Sequence, residues 1–359
     1  MPEPLKNLYT EQLVANVCAE IKRHELSFSS KKMKQSVFSK GWKDKALKAR
    51  MSHIAVSLKP LLPEKYNDAV AILKLASQAF SGFEYMFFPD FVERYGLNDF
   101  DVSMSALACF TEYASAEFAV RPFIVREQSR MMQQMKQWAL SDNHHIRRLA
   151  SEGCRPRLPW AMALPEFKKD PQAVLELLEL LKQDPSEYVR RSVANNLNDI
   201  AKDHPQAVLS VAKRWQGLSA ETDKLVKHAC RTLLKQGNAD ALALFGFKAP
   251  KHVLVNDFTL QPSVALGGDL AFSFVLQTNK PQLGLLRVEY AVDFMKKNGK
   301  QARKVFQVSE SLCTTSQKVV TKHFSFKAIS TRKYYTGEHQ LAVIVNGAQL
   351  ACAHFVLTA

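Results

Sequence analysis

Residues 147–160 read Arg-Arg-Leu-Ala-Ser-Glu-Gly-Cys-Arg-Pro-Arg-Leu-Pro-Trp. The front half of this stretch has the spacing of the second helix of a helical repeat. Gly153 marks the expected end of that helix, because Gly is the preferred residue just past a helix C-terminus. Pro156 and Pro159 keep the helix from resuming. Glu152 then falls at the helix end, where a side chain can project past the scaffold. Arg155, Arg157 and Trp160 follow in a stiff loop. A carboxylate among guanidinium groups and an indole is a poor design for a core. It suits a site for an anionic polymer that carries a cationic reacting group.

The flanking sequence repeats this pattern. Ser-Asp-Asn-His-His-Ile-Arg-Arg at 141–148 resembles Asp-Pro-Ser-Glu-Tyr-Val-Arg-Arg at 184–191, so that Arg147 recurs as Arg190 43 residues on. A weaker third copy occupies 221–228. The partner helix also recurs: Asp170-Pro171-Gln172-Ala173-Val174 returns as His204-Pro205-Gln206-Ala207-Val208, 34 residues on. Two-helix units of this size, with Asp before an apolar-Arg pair, read as HEAT-like repeats. One unit cannot bury its apolar face alone, so neighbours stack into a solenoid. Pro171 and Pro205 fall in first helical turns, where a missing N–H costs little. Upstream, Leu13, Val17 and Ile21 share a helical face. Further helices are expected over Lys45–Leu58 and Tyr66–Phe80, and the aromatic run Phe83–Phe91 reads as helix packing.

Near Ala249-Pro250 the period changes from helical to two. Leu270, Phe272, Phe274 and Leu276 alternate with smaller residues, as do Val288, Tyr290, Val292 and Phe294. Asn298-Gly299 and Asn346-Gly347 carry hairpin-turn chemistry. About seven short strands predict an immunoglobulin-like β-sandwich. The lack of a spaced Cys–Trp–Cys trio excludes the antibody type. The expected architecture is mainly α: a HEAT-like repeat solenoid over 1–249, followed by the sandwich over 250–359.

A net charge of +15 and a pI near 9.5 favour a polyanionic partner, nucleic acid first and an anionic membrane second. Residues 251–359 hold thirteen Lys/Arg against six Asp/Glu, and Lys296, Lys297, Lys300, Arg303 and Lys304 flank one hairpin. That hairpin is either a solvated edge or a DNA contact. Six scattered cysteines form no Cys-x-x-Cys, which argues against a zinc ribbon or redox dithiol. Free thiols fit a reducing compartment, so a cytoplasmic location is expected. The N-terminus lacks the apolar run of a signal peptide, and no stretch reaches membrane-span length. The ten histidines show no ligand spacing and no Gly-rich phosphate loop occurs, so neither a metal nor a nucleotide cofactor is expected. The chain is expected to act as a monomer.

The motif at 147–160, followed by Tyr-Val-Arg-Arg-Ser-Val-Ala-Asn-Asn-Leu-Asn-Asp-Ile at 188–200, resembles the AlkC branch of the AlkC/AlkD DNA alkylation-repair glycosylases. Residues 48–55 resemble it more weakly. A C-terminal immunoglobulin-like domain occurs in a subset of that branch. The resemblance implies excision of cationic N-methylated bases, chiefly 3-methyladenine and 3-methylcytosine, from double-stranded DNA without metal or cofactor.

Such chemistry needs carboxylates, an aromatic surface and a grip on the backbone. Breaking the N-glycosidic bond develops oxocarbenium character, which a fixed carboxylate stabilises. Glu152 is the leading candidate. Glu117 and Asp199 are expected at corresponding places of the preceding and following repeats. Each has a simpler reading as an ion pair, Glu117 with Arg121 and Asp199 with Lys202. Trp160 either stacks on a cationic base or plugs the gap between repeats. Arg148, Arg155, Arg157 and Arg191 are candidates for phosphate, with Lys296 and Lys297 on the sandwich. Arg147 and Arg190 read as structural partners of a neighbouring Asp. The competing reading from another class is a non-enzymatic HEAT-repeat scaffold for nucleic acid or protein.

Overall fold

The computed structural model describes residues 4–329 and 332–359. The first three residues of the N-terminal segment lie outside them. Two compact units are formed, residues 1–229 and 230–359.

The first unit is helical. Its helices are α1 (Glu11–His24), α2 (Ser30–Val37), α3 (Leu47–Leu58), α4 (Tyr66–Ser77), α5 (Phe87–Tyr95), α6 (Phe100–Thr111) and α7 (Arg121–Arg126). They continue with α8 (Gln128–Trp138), α9 (His144–Gly153), α10 (Pro165–Lys169), α11 (Gln172–Leu180), α12 (Glu187–Ile200), α13 (Pro205–Trp215) and α14 (Ala220–Ala229). Helices α6, α9, α12 and α14 pack each on the next. Helices α8 and α11 back α9, and α13 backs α12 and α14. Each backing helix with its successor is thus one repeat.

The repeated Asp and Arg fix the turns between units. Arg147 donates to both oxygens of buried Asp184, at 2.6 and 3.0 Å, and also to the carbonyls of Ser141 and Asp142. Arg190 donates to the carbonyls of Asp184 and Pro185 at 2.7 and 2.9 Å. Both arginines therefore brace the turns, but only Arg147 does so through a neighbouring Asp carboxylate, as the repeat pattern implied, whereas the bonds of Arg190 among the described residues go to backbone carbonyls. Pro205 opens α13, whereas Pro171 sits one residue before α11, at its N-cap. The aromatic run is also packing: Phe87, Phe88 and Phe91 are fully buried.

Gly153 differs from expectation. It is the last residue of α9 and not a left-handed residue beyond it. Its glycine identity follows from packing: an added Cβ would lie 2.5 Å from Val120 Cγ2.

The second unit begins with two short helices, α15 (Arg231–Lys235) and α16 (Ala239–Leu244). Eight strands follow: β1 (Leu254–Leu260), β2 (Ser263–Ala265), β3 (Asp269–Gln277), β4 (Gly284–Met295), β5 (Gln301–Cys313), β6 (Gln317–Ser325), β7 (Gly337–Val345) and β8 (Ala348–Thr358). They form a three-stranded sheet, β1-β3-β6, and a five-stranded sheet, β2-β8-β7-β4-β5. The strand beyond the seven expected is β2, three residues that pair parallel to β8. The period-two residues Leu270, Phe272, Phe274 and Leu276 are buried and meet Val288, Tyr290, Val292 and Phe294 in one core.

Strand β4 does not alternate in burial: every residue from Leu286 to Phe294 is buried. Its second face carries Ala291, which packs with Ala342 and Ile344 of β7. The β7–β8 turn, Asn346-Gly347, has positive φ at both residues. It comes so close to Gly237 and Leu242 that a Cβ on Gly347 would meet them at 2.9 and 2.5 Å. Helices α15 and α16 thus belong to the sandwich unit. The compact units divide at 229/230, whereas the sequence expectation put the boundary at 249/250, where the period changes.

The Gly153 contact sets an expected outcome. Gly153→Ala overpacks Val120 and should cost about 1–3 kcal/mol, seen as a lower denaturation midpoint in guanidinium chloride. An unchanged midpoint would show that Val120 yields freely.

Candidate functional site

The chemistry-bearing residues of the first unit are held in a line of alternating charge. Lys202 Nζ lies 3.1 Å from Asp199 Oδ1. Asp199 Oδ2 accepts from Arg155 Nε at 2.9 Å. Arg155 Nη1 donates to Glu152 Oε1 at 2.5 Å. Arg148 Nη2 approaches the same oxygen at 3.6 Å, and its Nη1 donates to Glu117 Oε2 at 2.5 Å. Three carboxylates from three repeats are thus brought together, each spaced from the next by a guanidinium. Glu152 and Asp199 are the penultimate residues of α9 and α12, which explains their equivalence. Glu117 differs: it lies in the turn before α7, not at a helix end.

Several expectations need correction. Glu152 does not project past the scaffold; it is 5% exposed. Its Oε2 accepts from Ser192 Oγ at 2.7 Å, so both of its oxygens are engaged. Asp199 is 2% exposed, with both oxygens engaged. The Asp199–Lys202 pair forms, but beside Arg155 and not in its place. Glu117 pairs with Arg148, not with Arg121. Its Oε2 also accepts from Ser115 Oγ, while Oε1 has no hydrogen bond among the described residues.

The arginines separate in the same way. Arg155 is 7% exposed and committed to Glu152 and Asp199, so it is not available to phosphate. Burial opposes the charge of Arg155, and the two carboxylates outweigh it and raise its pKa. Arg148 follows the same logic with Glu117 and Glu152. Its guanidinium also lies 4.8 Å from the Tyr188 ring centre. Arg157 is half-exposed and pairs with Asp203 at 2.7 Å. Arg191 is exposed on α12. Lys296 and Lys297 are exposed at the β4–β5 hairpin of the second unit. Trp160 is 62% exposed, with a left-handed backbone at φ 64°. Its indole meets Phe83 edge-on at 6.3 Å, so it is no plug in a core.

Two open cavities adjoin the line. One, of about 470 Å³, is walled by Arg148, Glu152, Tyr188, Arg191, Ser192 and Asn195. The other, of about 270 Å³, is lined by Lys48 and Ser52 of α3, by Asp90, Glu93 and Arg94 of α5, and by Phe118. Ser115 lines the second cavity and Arg148 the first, and both bond Glu117. Among the described residues, no three His, Cys, Asp or Glu come together as a metal site, and no helix is long and apolar enough to cross a membrane.

Residues 98–235 match the family model described as DNA alkylation repair enzyme, and residues 254–359 match that of the C-terminal Ig-like domain of the uncharacterised protein YhaZ. The uncharacterized protein YhaZ of Bacillus subtilis (strain 168) is 43% identical over 345 residues, 96% of each chain. The alkylpurine DNA glycosylase AlkC of Pseudomonas fluorescens, solved bound to DNA containing an abasic site analog, superposes with a TM-score of 0.95. It is 36% identical, covering 99% of this chain and 100% of that one. This chain belongs to the AlkC branch of the DNA alkylation repair glycosylases. The chain is accordingly an enzyme, with a repeat unit of the alkylation-repair type and an Ig-like domain.

Sequence reasoning missed Ser192 and the roles of Arg121 and Lys48, having read Arg121 only as an ion-pair partner of Glu117. Arg121 is 0% exposed and donates to the carbonyls of Met162, Gly153 and Arg155 at 2.7, 2.9 and 2.9 Å. The signal was present: Arg121 is the only charge in Phe-Ala-Val-Arg-Pro-Phe-Ile-Val, residues 118–125. A lone charge in an apolar run implies a buried group held by hydrogen bonds, which Nε and Nη1 of Arg121 make while its Nη2 is left without a partner among the described residues. Lys48 Nζ donates to the Trp160 carbonyl at 2.8 Å and sits 4.6 Å from the Phe118 ring centre.

Glu93 supplies a pH prediction. Burial, with Asp90 beside it, raises its pKa from 4.5 to about 7 against the opposing charges of Lys48 and Arg94. The folded state then holds a proton that the unfolded state has released between those values, so stability falls as pH rises through that window. Glu93→Gln removes this dependence. The melting-temperature gap between variant and wild type should widen in favour of Gln from pH 4.5 to 7 and stay constant above. A gap independent of pH would refute the shift.

Proposed function

We propose that this glycosylase hydrolyses the N-glycosidic bond of cationic N-alkylated bases in double-stranded DNA, 3-methyladenine and 3-methylcytosine among them, as the first step of base excision repair. The line of Glu117, Glu152 and Asp199, spaced by Arg148 and Arg155, carries this reading. A buried carboxylate bracketed by guanidiniums is held in place from both sides and cannot drift. That is the arrangement an oxocarbenium-like transition state rewards, since fixed charge needs no reorganisation when the cation forms.

A base methylated at N3 already carries a positive charge. Its C1′–N bond breaks with the electron pair going to the base, which departs neutral without a general acid. Water adds to C1′ and loses a proton. Glu117 is best placed to take that proton, because its Oε1 has no hydrogen bond among the described residues while both oxygens of Glu152 and of Asp199 are held. Glu152 and Asp199 act as fixed negative charge. Trp160, exposed and braced by Lys48, offers its face to the cationic base, a contact worth about 0.5–2 kcal/mol. Arg191 and half-exposed Arg157 face the phosphates, with Lys296 and Lys297 as contacts from the second unit, while Arg148 is committed to Glu117 and Glu152.

Single-turnover release of both bases from methylated duplex tests this. Glu117→Gln and Glu152→Gln should each lose about 10²-fold or more in rate, with affinity for an abasic-site duplex little changed. Glu152→Gln keeps an acceptor for Arg155 and Ser192, and a melting curve checks its fold. Wild-type rates in both folded variants would remove Glu117 and Glu152 from the mechanism. A second measurement addresses binding. Arg191→Ala should weaken duplex affinity and reduce the slope of log K against log salt by about one. A slope unchanged from wild type would remove Arg191 from the interface.

A further inference from the structure

The two oxygens of Glu152 are held by different parts of the repeat unit. Arg155 and Arg148 approach Oε1, at 2.5 and 3.6 Å. Both belong to α9 or to the loop that follows it. The hydrogen bond to Oε2 comes, among the described residues, from Ser192 Oγ of α12 at 2.7 Å. Helices α9 and α12 are neighbours in the stack, so this bond crosses the joint between two repeats. The terminal torsion of a glutamate is broad, and one bonded oxygen leaves the plane of its carboxylate free to turn. Ser192 is what fixes that plane.

We propose that Ser192 is a positioning residue for excision: it holds the Glu152 carboxylate in one orientation across the α9–α12 joint while the sugar cation develops. The inference rests on the role given to Glu152 above and adds what orients it. Two further observations carry it. The first is the direction of the bond. A carboxylate oxygen accepts, so the single hydroxyl proton of Ser192 goes to Glu152, and its own oxygen is left to accept. Ser151 Oγ supplies that second bond at 2.7 Å, closer than its 3.1 Å approach to the Arg148 carbonyl. With both ends committed, the Ser192 hydroxyl does not rotate away. The second observation is its place in the repeat. The alignment of 141–148 with 184–191 and 221–228 sets Ser192 opposite Leu149 and Ala229. All three positions are buried, and the other two are apolar. The scaffold thus takes an apolar side chain here, and α12 has a hydroxyl instead. A buried hydroxyl is costly unless it is bonded, and the acceptor that satisfies this one is the site carboxylate. A charge held in this way needs no reorganisation at the transition state.

The experiment is a double-mutant cycle on single-turnover release of 3-methyladenine from methylated duplex by the full-length protein. Ser192→Ala removes the donor, adds no volume and suits a helix interior; a melting curve checks its fold. Its maximal rate should fall about tenfold or more, the size of one hydrogen bond to a carboxylate. Affinity for an abasic-site duplex should stay at the wild-type value. In a Glu152→Gln background the same substitution should change the rate by less than about twofold, because the charge that Ser192 orients is already gone. A general loss of packing would appear in both backgrounds. Ser192 loses this role if Ser192→Ala keeps the wild-type rate, if duplex affinity falls as far as the rate does, or if the full loss recurs beside Glu152→Gln. A slow Glu152→Gln with a wild-type Ser192→Ala sinks this inference alone, whereas a wild-type rate in Glu152→Gln sinks the role of Glu152 beneath it.

Discussion

Three carbonyl groups and one buried guanidinium hold the site together. Arg121 ties the carbonyls of Gly153 and Arg155, at one end of the loop after α9, to that of Met162 at its other end. No carboxylate among the described residues bonds it. Burial lowers its pKa to about 10, which still leaves it charged at neutral pH. The carbonyl end of α9 is the negative pole of the helix dipole, so part of that charge is met by the backbone itself. The loop so pinned carries Arg155, Arg157 and Trp160. Without it, Arg155 would have no reason to stand between Glu152 and Asp199, and removing one member of such a buried set costs about 3–5 kcal/mol.

Much of the fold was legible because its signals are local. Repeat offset, period-two alternation and Asn-Gly turns each lie within one element or between neighbours, and they gave helices first and a sandwich after. The structural roles of Arg147 and Arg190 were legible for the same reason: the Asp-led turn recurs with its arginine. The site was half legible. The chemistry that the family resemblance implied put Glu152, Glu117 and Asp199 forward together, and the structure brings them into one line. Residue type and spacing could not show that Arg155 belongs to the carboxylates and not to a phosphate, because its partner Asp199 is 44 residues away and one repeat over. Nor could they show why residue 153 is glycine. The helix-end rule pointed to backbone conformation, while the cause is a methyl group of Val120. Burial, which decides both points, depends on which helix lies opposite.

The division between the two units makes the same point at larger scale. The change of period at residue 250 is real, yet the second unit starts at Cys230. Buried Glu289 and Arg287 on β4 point away from the sandwich core, and they form an ion pair at 2.6 Å. Burial, with Arg287 pulling the other way, raises the Glu289 pKa, and Lys235 of α15 also lowers the penalty on its charge. Helices α15 and α16 are thus not leftover repeats.

The line from Lys202 to Glu117 contains three cations and three anions and so carries no net charge. It exerts little pull on a distant polyanion; the long-range field comes from the +15 elsewhere. Recruitment and bond-breaking are thereby entrusted to different charges. Counterions screen the exposed set over about 8 Å at physiological ionic strength and barely reach the buried one. The cell's ionic composition can therefore set how often the enzyme visits DNA while leaving untouched how fast it acts once a lesion is seated.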